Sequence, residues 1–174
     1  MNCRRLGKLI TLEGPEGAGK STQCAALVQW LKKAGYDPVV TREPGGTELG
    51  GRIRRILLET DLNISAKAEM LLYAADRAQH VDQLILPALE KGQIVICDRY
   101  FDSTMAYQGY ARGLGIEFVE RVNQLSVGDV VPDLTLLFDL PVEEGMGRKS
   151  SGNLDRIEKE TLEFHKRVRE GYLK

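Results

Sequence analysis

Lys20 and Ser21 close an eight-residue segment whose residue types and spacing suit phosphate binding. Residues 14–21 read GPEGAGKS, which fits the pattern G-x-x-x-x-G-K-S/T. Glycines in such a loop permit unusual dihedral angles, and backbone N–H groups at a helix N-terminus attract anions. We expect Lys20 to reach the β- and γ-phosphates and the Ser21 hydroxyl to touch Mg²⁺. The predicted nucleoside triphosphate site consists of Gly14, Pro15, Glu16, Gly17, Ala18, Gly19, Lys20, Ser21 and Thr22.

The segments on either side of this loop have the patterns that such a site requires. The apolar run at residues 8–12 predicts a strand, and apolar residues from Cys24 to Leu31 recur at helical spacing. Because a strand, a glycine-rich loop and a helix follow one another, we interpret the segment as a phosphate loop rather than a chance glycine-rich turn.

Asp98 is the second residue with evident chemistry. It ends the apolar run 93–97, which is typical of a central parallel strand. A carboxylate in this place beside a phosphate loop can organise Mg²⁺, so Ser21 and Asp98 form the predicted metal site. The alternative is an aspartate that caps the next turn, and the sequence leaves that alternative open.

The rest of the chain alternates between strand and helix patterns. Further strands are predicted at residues 38–41 and 134–138, and helices around 49–57, from Ser65 to an end or kink near Pro87, around 118–125, and from Asp155 onwards. Residues 145–152 contain three glycines and two serines and predict a mobile loop. This alternation predicts an α/β fold with a mostly parallel sheet, in one domain over residues 1–174.

Bulk composition excludes several classes of protein. With 24 Lys+Arg and 25 Asp+Glu among 174 residues, the charge balance gives no support for a nucleic-acid or membrane partner. No apolar run is long enough to cross a bilayer. The three cysteines are scattered without disulfide or metal spacing, so a cytoplasmic location is the default expectation.

A small nucleotide or metabolite kinase is the class that remains, because the chain lacks the Asn-Lys-x-Asp tetrapeptide of GTPases. Such an enzyme needs guanidinium groups for its second anionic substrate, and Arg42, Arg77 and Arg99 are the candidates. Tyr73 and Arg77 share one helix face at i, i+4 spacing. Taken on spacing alone, Tyr73 is equally well a core aromatic and Arg77 a solvated charge.

Six motifs in order resemble those of the bacterial thymidylate kinases, which are P-loop nucleoside monophosphate kinases. They are EGPEGAGKST at 13–22, REPGGT at 42–47, DR at 76–77, DRY at 98–100, YQG at 107–109 and LDRIE at 154–158. The resemblance implies a three-layer α/β/α sandwich that in this chain lacks the usual last strand and helix. It also implies a homodimer that phosphorylates dTMP to dTDP with ATP and Mg²⁺.

The resemblance also implies roles for individual residues. Glu16 is expected near the sugar 3′-hydroxyl, and Tyr107 lies where its ring would disfavour a 2′-hydroxyl. Arg99 and Arg77 are expected at the phosphate or base of dTMP. The other expected substrate contacts are Arg42 in the loop facing the monophosphate, Tyr73 stacked on thymine, and Thr104 and Gln108 in the thymidine pocket.

The resemblance further implies a mobile lid around residues 145–156 that carries catalytic charge. Arg148 and Arg156 are the guanidinium candidates, with Lys149 beside them. Together with Lys20 and Arg99, these two arginines complete the predicted catalytic set. Two alternatives remain at this stage: a kinase for another nucleoside or nucleoside monophosphate, and a nucleotide-binding remnant without catalysis.

Overall fold

A parallel sheet forms the centre of the fold in the computed structural model, which describes residues 6–59, 61–149 and 154–174. Its strands are β1 (Lys8–Glu13), β2 (Val39–Arg42), β3 (Ile94–Asp98) and β4 (Leu134–Leu137), in the order β2-β3-β1-β4. In the register, Asp98 pairs with both Leu12 and Arg42. The carboxyl ends of β1, β2 and β3 therefore meet at one edge of the sheet.

Helices cover both faces of this sheet. They are α1 (Lys20–Lys33), α2 (Glu48–Leu58), α3 (Ala66–His80), α4 (Leu86–Glu90), α5 (Phe101–Thr104), α6 (Ile116–Val127), α7 (Val142–Lys149) and α8 (Leu162–Leu173). Two π-helical segments, Val81–Ile85 and Met105–Ala111, lie between α3 and α4 and after α5. Among the described residues, no helix has the length and apolar character needed to cross a membrane.

Side-chain alternation along the strands separates the two layers. Leu9, Val95 and Cys97 join the core under the Val81–Glu90 region, whereas Leu12 and Ile96 pack against α1. Successive strand residues point to opposite faces, so one sheet supports two distinct cores. The expected three-layer α/β/α architecture is confirmed.

The long helical stretch has a π-helical interruption at Val81–Ile85 and ends at Glu90, on either side of the end or kink predicted near Pro87. The Val81–Ile85 segment directly precedes the α4 turn that holds this proline. Proline lacks an N–H group and its ring collides with the carbonyl four residues earlier. The wider π-helical turn removes that conflict, so the interruption falls before the proline.

Two predictions near residue 150 need correction. Residues 145–149 belong to α7 rather than to a loop, while residues 150–152 lie outside the described part. Acidic residues in the first turn of α7 and basic residues in its last turn suit the helix dipole. The following helix begins at Leu162 instead of Asp155, because the Thr161 side chain caps it by accepting the Phe164 N–H.

A third core joins α2, α3, the Met105–Ala111 segment and α8 around a buried carboxylate. Glu69 is fully buried and accepts hydrogen bonds from Gln108 at 2.9 Å, from Arg112 at 3.1 Å and from Arg156 at 2.5 Å. These contacts link α3 to the segment that begins at Leu154. Glu69 therefore anchors the C-terminal end of the expected lid.

We predict that Glu69→Ala destabilises the fold strongly, because it leaves two part-buried guanidinium groups without their common acceptor. The free energy of unfolding should fall by about 3 kcal/mol, measured by urea denaturation. Glu117→Ala is the matched control, since Glu117 forms an exposed i, i+4 pair with Arg121. Equal stabilities for the two variants would contradict the anchoring role of Glu69.

Candidate active site

The carboxyl edge of the sheet opens into a cavity of about 490 Å³. Most of the residues predicted from the sequence line it: Glu16, Gly17, Ala18, Gly19, Lys20, Ser21, Thr22, Arg42, Tyr73, Arg77, Asp98, Arg99, Thr104, Tyr107, Gln108 and Arg148. Gly14, Pro15 and Arg156 are not among the lining residues. The phosphate loop and the predicted acceptor residues therefore face one common space.

The phosphate loop holds its lysine against its own backbone. Gly17 and Gly19 adopt φ angles of 71° and 91°, a left-handed region that favours glycine. The Lys20 ammonium donates hydrogen bonds of 2.8 Å to the carbonyls of Gly14 and Pro15. Burial, and then the neighbouring Arg99, lower the pKa of Lys20 to about 7. An anion bound at this loop would stabilise the charged form of the lysine.

Asp98 and Ser21 meet at the start of α1. The Ser21 hydroxyl donates to Asp98 Oδ2 at 3.3 Å. Within the described part of the chain, the buried Asp98 Oδ1 has no hydrogen-bond partner. Buried polar atoms are normally satisfied, and hard divalent cations prefer carboxylate and hydroxyl oxygens. This oxygen pair fits the predicted metal site.

Arg99 connects the acceptor side of the cavity to the phosphate loop. Its backbone has φ of 72°, the sole positive value for a non-glycine among the described residues. Its guanidinium donates to Glu16 Oε1 at 2.5 Å and to the Gly14 carbonyl at 3.0 Å. The same group lies 5.2 Å from the centre of the Tyr107 ring. The turn after β3 thus places the Arg99 guanidinium against the phosphate loop.

Glu16 is the common partner of three side chains from different elements. Besides Arg99, its carboxylate accepts from the Tyr107 hydroxyl at 3.1 Å and from Lys149 at 2.6 Å. Burial alone would raise the pKa of Glu16, but Arg99, Lys149 and Lys20 together hold this pKa far below its ordinary range. Glu16 is therefore ionised at neutral pH and draws positive groups toward the phosphate loop.

Arg77 is fixed deep in the acceptor side. It is 1% exposed, so the alternative of a solvated helix charge is wrong. Its guanidinium donates to Glu43 at 2.7 Å, to Asn123 at 2.9 Å and to Thr104 at 3.2 Å. Tyr73, one turn earlier on α3, lines the same cavity. The predicted shared face is thus present, with Arg77 held in one orientation.

The candidate lid cations point in different directions. Arg148 donates to the Gly17 carbonyl at 3.2 Å, and Lys149 bonds Glu16 and Glu158. Arg156 instead donates to the Leu57 carbonyl at 2.6 Å and to Glu69. In this structure Arg148 and Lys149 approach the phosphate loop, whereas Arg156 faces the third core.

Sequence reasoning assigned no role to several residues that the fold brings to this site. Ser103 and Glu158 line the cavity, Glu43 fixes Arg77, and Tyr172 contacts Arg99 at 3.0 Å. Tyr172 follows the apolar stripe of α8, so its pattern predicts only a packing role. Glu43 could have been identified from the sequence, because it directly follows Arg42 in the REPGGT motif.

A contact between two glycines sets the distance between α7 and the phosphate loop. A Cβ on Gly145 would lie 2.3 Å from the Glu16 carbonyl oxygen, and one on Gly17 would lie 2.1 Å from the Gly145 carbonyl oxygen. Neither position accepts a side chain without backbone movement. This close approach explains why the glycine-rich stretch is helical here, since packing overrides its low helix propensity.

A phosphate-binding loop that shares its cavity with an arginine-rich pocket, at the edge of a parallel sheet, is the arrangement of a P-loop kinase. Thymidylate kinase from Halothermothrix orenii is 54% identical over 170 residues, covering 95% of this chain and 82% of that protein. The corresponding enzyme from Carboxydothermus hydrogenoformans is 52% identical over 168 residues, with 96% and 83% covered.

A solved structure of thymidylate kinase from Ehrlichia chaffeensis superposes with a TM-score of 0.80 at 35% identity, covering 96% of this chain and 85% of that one. The family profile described as thymidylate kinase matches residues 12–174. The chain belongs to the thymidylate kinase family, which confirms the family resemblance seen in the sequence motifs.

We predict that Gly145→Ala lowers the turnover number by about 10- to 100-fold, because a shift of 1 Å in catalytic positioning has an effect of this size. Steady-state kinetics with saturating substrates measure the change. Gly147→Ala is the matched control in the same helix, because a Cβ there meets no atom of the described residues within 4 Å. Similar turnover for both variants would show that the glycine contact does not position α7.

Proposed function

We propose that this chain transfers the γ-phosphoryl group of ATP to dTMP, giving dTDP and ADP, by direct in-line displacement. The observation that carries the proposal is that Lys20 and Arg99 line the same cavity and both donate to the Gly14 carbonyl of the phosphate loop. Membership of the thymidylate kinase family supports dTMP as the acceptor. Direct transfer requires positioning and charge neutralisation rather than a covalent enzyme intermediate.

On the donor side, we assign the triphosphate to the loop from Gly14 to Thr22. Backbone N–H groups and the start of α1 attract its charge, and Lys20 exchanges its contacts with loop carbonyls for phosphate oxygens. We assign Mg²⁺ to Ser21 and Asp98, because a buried oxygen without a partner suits a cation. Mg²⁺ held by these two side chains would neutralise the charge that develops during phosphoryl transfer.

On the acceptor side, we assign Arg99 to the dTMP phosphate, because its guanidinium already lies beside the phosphate loop. Tyr73 supplies a ring for the base, and Arg77 a guanidinium with a fixed orientation. Tyr107 and Glu16 are joined by a hydrogen bond of 3.1 Å and are assigned to the sugar. We assign Arg42 to the rim of this pocket, and Thr104 and Gln108 to its wall.

Residues 145–156 act in this proposal as a lid within a single domain over residues 1–174. Closure excludes water and suppresses hydrolysis of ATP. The positions of Arg148 and Lys149 beside Gly17 and Glu16 support these two as the lid cations. Arg156, tied to Glu69, acts as the anchor of the lid rather than as its catalytic charge.

We also propose a homodimer in the cytoplasm. The exposed apolar side chains Leu49, Ile56 and Leu71 lie on α2 and α3, and each is about half exposed, at 46%, 45% and 56%. Pairing of these helices between two copies would bury an apolar patch of a kind that is uncommon on monomers. Light scattering at micromolar concentration tests this assembly.

We predict that purified protein forms dTDP from ATP and dTMP much faster than it phosphorylates dUMP, dGMP or CMP. A coupled assay of ADP release, with dTDP identified by mass spectrometry, measures this preference. Preference for another acceptor would favour a different nucleotide kinase. Binding of ATP and dTMP without formation of dTDP would favour a non-catalytic protein.

Lys20→Ala should abolish transfer while dTMP binding persists. This result would exclude a contaminating kinase as the source of the activity.

We predict that Lys149→Ala and Arg148→Ala each lower the turnover number by about 10²-fold, since preorganised charge at the transferring group has an effect of this size. KM for dTMP should change far less. Lys149→Arg, which keeps the charge, should retain most of the activity. Arg156→Ala is the comparison: we expect it to reduce stability more than turnover at low temperature. Equal losses of turnover and dTMP affinity in the lid variants would place these cations in ground-state binding.

A further inference from the structure

Glu13 is a buried carboxylate to which the proposed reaction assigns no role. It ends β1, just before the phosphate loop, and it is 1% exposed. Burial raises its pKa to about 7, even though the Ser103 hydrogen bond and the Arg99 charge act in the opposite direction. A buried ionisable group with a strongly shifted pKa is typical of a functional site rather than of an ordinary core.

The contacts of Glu13 surround Arg99 from two sides. On the backbone side, the Tyr100 N–H donates to Glu13 Oε1 at 2.6 Å, while the Arg99 N–H donates to the Leu12 carbonyl at 3.0 Å. These two bonds bracket a residue with a left-handed backbone, which is a strained conformation for arginine. The end of β1 therefore holds the turn that aims Arg99.

On the side-chain side, two hydroxyl groups connect the Arg99 guanidinium to Glu13. Arg99 Nη1 donates to the Tyr172 hydroxyl at 3.0 Å and to the Ser103 hydroxyl at 3.3 Å. Those hydroxyls donate in turn to Glu13 Oε2, at 3.1 Å and 2.6 Å. Each hydroxyl can thus accept from the guanidinium and donate to the carboxylate, and the two hydroxyl oxygens also lie 2.7 Å from one another.

Tyr172 reaches this network because α8 lies very close to the Met105–Ala111 segment. A Cβ on Gly171 would lie 2.9 Å from Tyr110 Cβ and 3.0 Å from Ala106 Cα, so a larger residue would require the two segments to move apart. The Tyr172 ring also packs edge-on against the Tyr107 ring, with centroids 6.2 Å apart. Packing therefore fixes the Tyr172 hydroxyl, and the hydroxyl fixes one side of the guanidinium.

We propose that Glu13 and Tyr172 are positioning residues that act through Arg99, with Ser103 as the second hydroxyl of the same network. Without them, Arg99 keeps its contacts to Glu16 and Gly14 and is drawn toward the phosphate loop. This inference rests on the proposed function, because Arg99 is assigned there to the acceptor phosphate. It adds two residues, from β1 and α8, that determine where that phosphate is held.

Tyr172→Phe is the first test, because it removes one hydroxyl and retains the ring. We expect the turnover number to fall about 10-fold and KM for dTMP to rise, because Arg99 is misplaced by a fraction of an ångström. KM for ATP and the melting temperature should stay close to wild type. Tyr110→Phe is the matched control, because it makes the same chemical change in the Met105–Ala111 segment. Its hydroxyl bonds Glu170 and Lys174, which lie outside the network, and the variant should leave both constants unchanged.

A double-mutant cycle separates action through Arg99 from a general packing effect. In an Arg99→Ala background, Tyr172→Phe should cause no further loss, because contacting residues in one network are not additive. Glu13→Gln, which keeps the volume but cannot accept from both hydroxyls and the Tyr100 N–H equally well, should show the same dependence. Additive losses in the cycle would overturn the proposal, as would kinetics for Tyr172→Phe identical to those of Tyr110→Phe.

The outcome for the wild-type chain distinguishes this inference from the proposed function. A wild type that turns over dTMP, together with an unaffected Tyr172→Phe variant, would overturn the positioning role alone. A wild type without any turnover of dTMP would overturn the proposed function, and the positioning role with it.

Discussion

The ion pair between Arg99 and Glu16 is the interaction on which the geometry of the cavity depends. It joins the turn after β3 to the phosphate loop, and both side chains are largely shielded, at 17% exposed. A shielded ion pair is costly to desolvate and even costlier to break. Because Lys149 and the Tyr107 hydroxyl share the same carboxylate, the loop, the acceptor pocket and α7 are held at fixed distances from one another.

The two halves of the cavity differ in how strongly their side chains are fixed. Arg77 and Gln108 are buried and bonded to protein partners, so little ordering remains for a ligand to induce there. Among the residues that the structure describes, Lys20 and Arg148 donate hydrogen bonds to backbone carbonyls of the phosphate loop alone, and phosphate oxygens can replace these acceptors. The acceptor pocket is therefore preorganised, and the donor side is the half that rearranges on binding.

Sequence patterns predicted the family, the parallel α/β fold and the strand-end location of the candidate residues, because motifs that follow parallel strands must meet at one edge of the sheet. The helical state of residues 145–149 was not predictable, since it depends on backbone contact between Gly17 and Gly145. The orientation of the Arg156 side chain was equally unpredictable, because its partner Glu69 lies 87 positions away in the sequence. Individual roles at the site stay predictions, because spacing alone does not determine the bond that a side chain makes.

The bond between Tyr172 and Glu13 joins residues 159 positions apart, and this separation bears on how the protein matures during synthesis. The elements around the phosphate loop are made early, and the first half of the chain leaves the ribosome before α8 exists. Domains generally fold as units. Because Arg99 takes one of its contacts from Tyr172, the acceptor pocket is complete only after α8 has emerged and docked.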